Sequence, residues 1–191
     1  MVGLFGGSFD PIHHGHLIVA RIAAEALGLD QVRFMPARAQ PLTGGRHGAS
    51  AAQRAAMVEL AIAGEPGFAL EPIELGREGY SYTVDTLRAL REREPGLEPV
   101  LLLGTDAAAE LPRWKESAAV LDLARVAVFA RPGSPVLEVP GAWRVVEVPA
   151  LEISATELRR RAAAGRSIRY WVPDAVADYV ATHGLYRDGD G

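Results

Sequence analysis

Gly6-Gly7-Ser8-Phe9-Asp10-Pro11-Ile12-His13-His14-Gly15-His16 joins an apolar run, Val2 to Phe5, to an apolar-periodic segment, Leu17 to Leu27. That order predicts strand, glycine loop, helix, the arrangement that grips phosphate. Gly6 and Gly7 have no side chain to keep an anion from the backbone. A helix beginning near Gly15 is expected to aim unpaired N–H groups and the positive end of its dipole at the same point. His13 and His16 are three residues apart, so both imidazoles can face one ligand from the helix entrance. The loop therefore reads as a site for a nucleotide's phosphates, with Gly6, Gly7, Ser8 and Phe9 against the nucleotide.

Zinc is the competing reading for two closely spaced histidines. The chain has no cysteine, and His47 and His183 supply no zinc-ligand spacing. Phosphate contact is the better reading, and no metal ligand set is assigned. His14 stands at the variable position of H-x-G-H and receives no role.

Working outward, strands and helices alternate along the chain. Gln31 to Pro36 reads as a second strand, followed by a polar loop, Arg38 to Ala49. Ser50 and Gln53 have capping-box spacing ahead of a helix carrying Met57, Leu60 and Ala61. Phe68 to Leu75 looks extended, and Thr83 to Arg93 helical with Leu87 and Leu90 inward. Pro99 to Leu103 is an unbroken apolar run, the mark of a strand buried on both faces. Arg125 to Ala130 and Trp143 to Val148 supply two more strands. Ser154 with Glu157 reads as a second capping box, Gly165 as a helix stop, and Pro173 as the start of a last helix.

This alternation predicts an α/β fold, a Rossmann-like doubly wound parallel sheet with helices on both faces and a C-terminal helical segment. Ligands of such sheets bind beyond the carboxyl ends of the strands. The glycine loop, Gly104-Thr105-Asp106 and Arg131 all fall at that edge. One domain is expected over residues 1–187, with a frayed tail at 188–191.

Composition narrows the class. The 191 residues are 49% hydrophobic, enough for a sizeable core. A formal net charge of −4 argues against a general nucleic-acid binder but not against a small anionic ligand. The absence of cysteine excludes thiol chemistry and a disulfide framework. No run approaches the roughly 18 apolar residues of a membrane helix, and no secretory leader pattern stands at the start. A cytoplasmic protein is the expectation, and a homo-oligomer is left open.

Four further features have chemistry that fits a nucleotide. Ser154 and Thr156 offer hydroxyls at a helix start, and Arg159, one turn on, adds a forked cation suited to phosphate. Gly104 permits close approach, and Asp106 can accept from ribose hydroxyls or help organise Mg²⁺. Trp114 can stack on a flat ring. Asp85 could instead be a first-turn acid complementing a helix dipole, and it is left unassigned.

The glycine loop resembles the signature of the nucleotidyltransferase superfamily that shares H-x-G-H with class I aminoacyl-tRNA synthetases. Ser81 to Leu87 (SYTVDTL), Gly104 to Glu116 (GTDAAAELPRWKE), Ala130 to Gly133 (ARPG), Ile153 to Arg159 (ISATELR) and Gly165 to Val176 (GRSIRYWVPDAV) resemble, in order, the blocks of bacterial nicotinate-nucleotide adenylyltransferases. The resemblance implies AMP transfer from Mg²⁺-bound ATP to nicotinate mononucleotide, giving deamido-NAD and pyrophosphate in NAD biosynthesis. It implies that His13 and His16 contact the triphosphate, with Arg159 as their catalytic partner and His16 contributing most in the transition state. Tyr82, Thr83 and Trp114 would form the pyridine pocket, with the Thr83 hydroxyl and local N–H groups on the nicotinate carboxylate.

One departure from the family stands out. The usual Pro-Pro-His-Lys stretch after strand two is replaced by Gln40-Pro41-Leu42-Thr43-Gly44-Gly45-Arg46-His47. Arg46, His47 or Arg38 would then meet the mononucleotide phosphate. Three alternatives stay open at this level. They are a nicotinamide mononucleotide acceptor, another phosphate acceptor such as phosphopantetheine, and a non-catalytic nucleotide-binding module.

Overall fold

The computed structural model describes residues 1–38, 48–76, 79–130 and 141–187. The stretch around Arg46 and His47, Arg131, and the tail at 188–191 lie outside the described residues. The described strands are β1 (Val2–Gly7), β2 (Gln31–Pro36), β3 (Phe68–Leu70), β4 (Pro99–Gly104), β5 (Arg125–Ala130) and β6 (Ala142–Glu147). The helices are α1 (His14–Leu27), α2 (Ala51–Ile62), α3 (Thr83–Arg93), α4 (Thr105–Glu110), α5 (Ser117–Leu123), α6 (Ala155–Ala163) and α7 (Asp174–Thr182).

The strands form one sheet in the order β3-β2-β1-β4-β5-β6, and every pairing is parallel. Strand side chains alternate between the faces. Phe5, Val100, Leu102, Ala127 and Phe129 join one core with residues of α1, α2, α6 and α7. Leu4, Leu101, Leu103, Val126 and Val128 join the other, with α3, α4 and α5. Helices cover both faces, as the sequence pattern requires. The order reverses between β1 and β4, so a crevice opens beyond their carboxyl ends.

Several boundaries follow the sequence signals. Ser50 and Gln53 exchange both bonds of a capping box, at 2.8 and 3.3 Å. Gly165 takes a φ of 68° just past α6, where its lack of Cβ permits the left-handed turn.

Three expectations need correction. Phe68 to Leu75 is a strand only as far as Leu70. Glu71 makes the last ladder bond to Phe34, and Pro72 then has no N–H to continue it. At α6, Ser154 accepts from the Glu157 N–H at 3.2 Å, but the Glu157 carboxylate turns to Arg160 at 2.7 and 2.8 Å. That cap is therefore one-sided. Lastly, Gly6 and Gly7 are the final residues of β1, paired with Met35 and Pro36, and do not form a loop.

Candidate functional site

The turn after β1 is carried by Phe9, at a φ of 49°, and by a cis Asp10–Pro11 bond. The Phe9 side chain is fully buried, so the ring serves the core and only the backbone of Phe9 is left for the expected nucleotide contact. Its ring lies over Gly7, where an added Cβ would fall 3.0 Å from the nearest ring carbon. It also meets the His16 ring edge-on, centroids 5.0 Å apart. Phe9 shapes the turn and supports His16.

His13 and His16 are stacked, centroids 3.7 Å apart and planes 19° from parallel. The His13 N–H donates to His16 Nδ1 at 3.3 Å. An acceptor Nδ1 places the neutral ring's proton on Nε2, which leaves Nε2–H as the donor. Burial, then the neighbouring His14, pushes the His13 pKa down to about 4. Burial and His13 also hold His16 well below its ordinary value. Both imidazoles are neutral near pH 7, as their close contact demands.

Gly15 is the small residue that the stack requires. A Cβ there would sit 3.0 Å from His13 Nδ1 and 3.1 Å from its Cε1. His13 itself is 6% exposed, and its Nδ1 has no hydrogen-bond partner among the described residues. The expectation of free amides at the helix entrance is largely overturned. The His14 N–H goes to the Trp171 carbonyl at 2.9 Å, and the His16 N–H to the His13 carbonyl at 2.9 Å. The loop ending in Trp171 consumes one of these donors before any ligand arrives.

Arg159 reaches the same turn from α6. Its NH1 donates to the Asp10 carbonyl at 2.7 Å and its NH2 to Thr156 Oγ1 at 3.2 Å. A guanidinium has five N–H donors, so these two bonds orient it without exhausting it. Ser154 and Thr156 are exposed at the start of that helix. Ile153, just ahead of them, lies against Gly15. The structure thus brings His13, His16, Thr156 and Arg159 around one turn.

On the other side of β1 lies a cavity of about 360 Å³. Gly6 and Gly7 form its edge, Leu4, Leu101 and Leu103 its floor, and Tyr82, Thr83 and Trp114 its walls. The expected pyridine-pocket residues are therefore together, next to the glycine pair. Neither imidazole is part of the lining. The glycine-ended strand is what separates the cavity from the histidines. Gly104 and Asp106 stand exposed at the end of β4 and in the first turn of α4.

Two cations of this cavity were not read from the sequence. Arg113 and Lys115 both line it. Lys115 Nζ lies 5.0 Å from the Tyr82 ring centroid and binds Asp85 at 2.9 Å. Asp85 is indeed a first-turn acid of α3, and Lys115 is its partner. Asp10, Arg54 and Tyr186 were also missed. Arg54 carried a signal in its position: with Met57 and Val58 it occupies one helical face, an arginine set within an apolar stripe.

Residues 4–161 match the family model described as Cytidylyltransferase-like, so the chain is a cytidylyltransferase-like protein. A relative from Roseiflexus sp. (strain RS-1), named "Probable nicotinate-nucleotide adenylyltransferase", is 47% identical, covering 97% of this chain and 98% of its own. A relative of the same name from Thermus thermophilus is also 47% identical, covering 97% of this chain and 99% of its own. The chain belongs to the nicotinate-nucleotide adenylyltransferase family. The fold is similar to that of Plasmodium falciparum nicotinic acid mononucleotide adenylyltransferase complexed with NaAD. That likeness has a TM-score of 0.78 at 17% identity and covers 97% of this chain and 96% of the other.

Proposed function

We infer that this chain transfers AMP from Mg²⁺-ATP to nicotinate mononucleotide. One observation carries the reading: a glycine-ended strand with a ring-sized cavity on one face and a neutral imidazole pair beside an arginine on the other. The names of the relatives support the same reaction. The acceptor's pyridine ring would occupy the cavity, stacked on Trp114 and Tyr82. The Thr83 hydroxyl and the N-terminus of α3 would receive its carboxylate. A helix N-terminus favours a carboxylate over an amide, hence nicotinate over nicotinamide. Arg113 and Lys115 are the cations nearest to hand for the acceptor's phosphate, with Arg46 a further candidate.

The triphosphate would lie against Ser8, Ser154, Thr156 and Arg159, with Arg131 as a further contact. Gly104 and Asp106 would face the ATP ribose. The acceptor's phosphate oxygen then attacks the α-phosphorus across the bare Gly6–Gly7 edge. A new P–O bond forms, the bond to the β-phosphate oxygen breaks, and pyrophosphate departs with the electron pair. The protein's part is alignment and charge stabilisation. His16 would donate Nε2–H to the departing phosphates, and Arg159 would add a fixed positive charge. His13 would keep His16 in the donor tautomer through its own N–H. Among the described residues no cluster of three or more acids or histidines could ligate a metal ion. Mg²⁺ would arrive with ATP, held mainly by its phosphates.

The test is pyrophosphate release by the purified chain with ATP and pyridine mononucleotides. Release that requires both substrates, faster with nicotinate than with nicotinamide mononucleotide, supports the reading. ATP binding without release for any pyridine mononucleotide refutes it.

A further inference from the structure

A buried polar hub under the β1–α1 turn is not used by the chemistry above. Asp10 is 2% exposed, and among its partners in the described residues are three donors to its carboxylate. They are the Gly48 N–H at 2.7 Å, the Ala49 N–H at 3.1 Å and the Tyr186 hydroxyl at 2.7 Å. Arg159 NH1 stands 3.9 Å from the same carboxylate while donating to the Asp10 carbonyl. Arg54, fully buried, braces the turn from below through the Ser8 carbonyl at 2.7 Å. The Tyr186 ring packs on Gly48, where a Cβ would fall 2.8 Å from the ring and 3.1 Å from Arg159 Cδ. The turn, the start of α2, the stem of Arg159 and Tyr186 are thus one packed unit.

We propose that Tyr186 is a positioning residue for phosphate handling: by satisfying the Asp10 carboxylate it leaves Arg159 free to face the nucleotide. A buried carboxylate with too few donors recruits the nearest cation. Two cations feel this charge: Arg54, already held on the Ser8 and Arg38 carbonyls, and Arg159 at 3.9 Å. A short ion pair of Arg159 with Asp10 would turn its charge away from the triphosphate. The hydroxyl blocks that collapse. It remains a donor at any working pH, since burial and the Asp10 charge both raise its pKa far above the ordinary value. The inference rests on the reading that Arg159 grips ATP phosphates.

The test is Tyr186→Phe in the full chain, which removes one oxygen and keeps the ring on Gly48. Calorimetry with a non-hydrolysable ATP analogue should show affinity weakened about tenfold, the scale of a lost hydrogen bond to a charged group. The KM for nicotinate mononucleotide should stay within about twofold, because the pyridine cavity does not touch this hub. Adding Tyr186→Phe to Asp10→Asn should cost little more, as expected of one coupled unit. Wild-type affinity for the analogue in Tyr186→Phe overturns the proposal. So does an equal loss for both substrates that tracks a fall in thermal midpoint, which marks a merely structural role. Should Tyr186→Phe not fold, Asp10→Asn, which removes the charge competing for Arg159, must keep analogue affinity within about threefold of wild type, or the proposal fails. A wild type that binds the analogue but releases no pyrophosphate refutes the transferase reading, and the binding comparison still decides this one.

Discussion

Acid destabilises the nucleotide-free protein through its buried imidazoles, and His13 gives the magnitude. Its pKa is held at about 4 in the fold, against an ordinary value of 6.5. Above about pH 6.5 both native and unfolded chains carry it neutral, and it costs nothing. As pH falls, the unfolded chain takes up a proton that the native chain refuses, so unfolding stability drops. The loss levels off near pH 4, where the native ring also protonates. The full difference of about 2.5 units corresponds to roughly 3.4 kcal/mol, of which about 2 kcal/mol is lost by pH 5. Against a typical stability of about 5–15 kcal/mol, that is large enough to measure. Urea denaturation at pH 7 and pH 5, for the wild type and for His13→Asn, isolates it, because carboxylate effects cancel in the difference. The wild type should lose about 2 kcal/mol more than the variant between the two pH values. Parallel losses in the two proteins would show that His13 is not held neutral, and the stacked-pair argument would fail. His16, also shifted down, acts with the same sign.

Two further outcomes follow from the packing. Gly15→Ala gains about 1 kcal/mol of helix propensity but sets a methyl 3.0 Å from His13 Nδ1. Denaturation should then show stability within about 1 kcal/mol of wild type, while turnover falls about tenfold as the stack shifts. Glu71, 2% exposed, accepts from Arg93 and lies 3.4 Å from Arg33. Its replacement by Gln removes the buried charge while Arg33 and the half-exposed Arg93 keep Glu94, and should cost about 1 kcal/mol in urea denaturation, with turnover at permissive temperature unchanged.

The elements were legible because their signals are local. Gln31–Pro36, Arg125–Ala130 and Thr83–Arg93 have the ends that their periodicity and flanking residues indicate. The meeting of Tyr82, Thr83 and Trp114 at one cavity was legible only through the resemblance, since Tyr82 and Trp114 are distant in sequence and their meeting depends on β4 lying beside β1. The polar hub was not legible. Asp10 stands inside the motif, yet its donors lie 38, 39 and 176 positions away, and no local pattern encodes them. The helix-entrance amides failed partly for the same reason: the His14 N–H is taken by Trp171 from a distant loop, while the His16 N–H goes to the local His13 carbonyl. Stacking of the two imidazoles depends on Phe9 and Gly15 packing, which spacing alone does not fix.

The proposed transfer turns on His16 acting as a neutral donor to leaving phosphates. His16→Ala, with kcat for pyrophosphate release measured beside the dissociation constant of a non-hydrolysable ATP analogue, tests it most directly. The kcat should fall by about a hundredfold or more, the scale of one lost transition-state donor, with analogue affinity changed less than about tenfold. Unchanged kcat, or a loss lying wholly in analogue affinity, would contradict it.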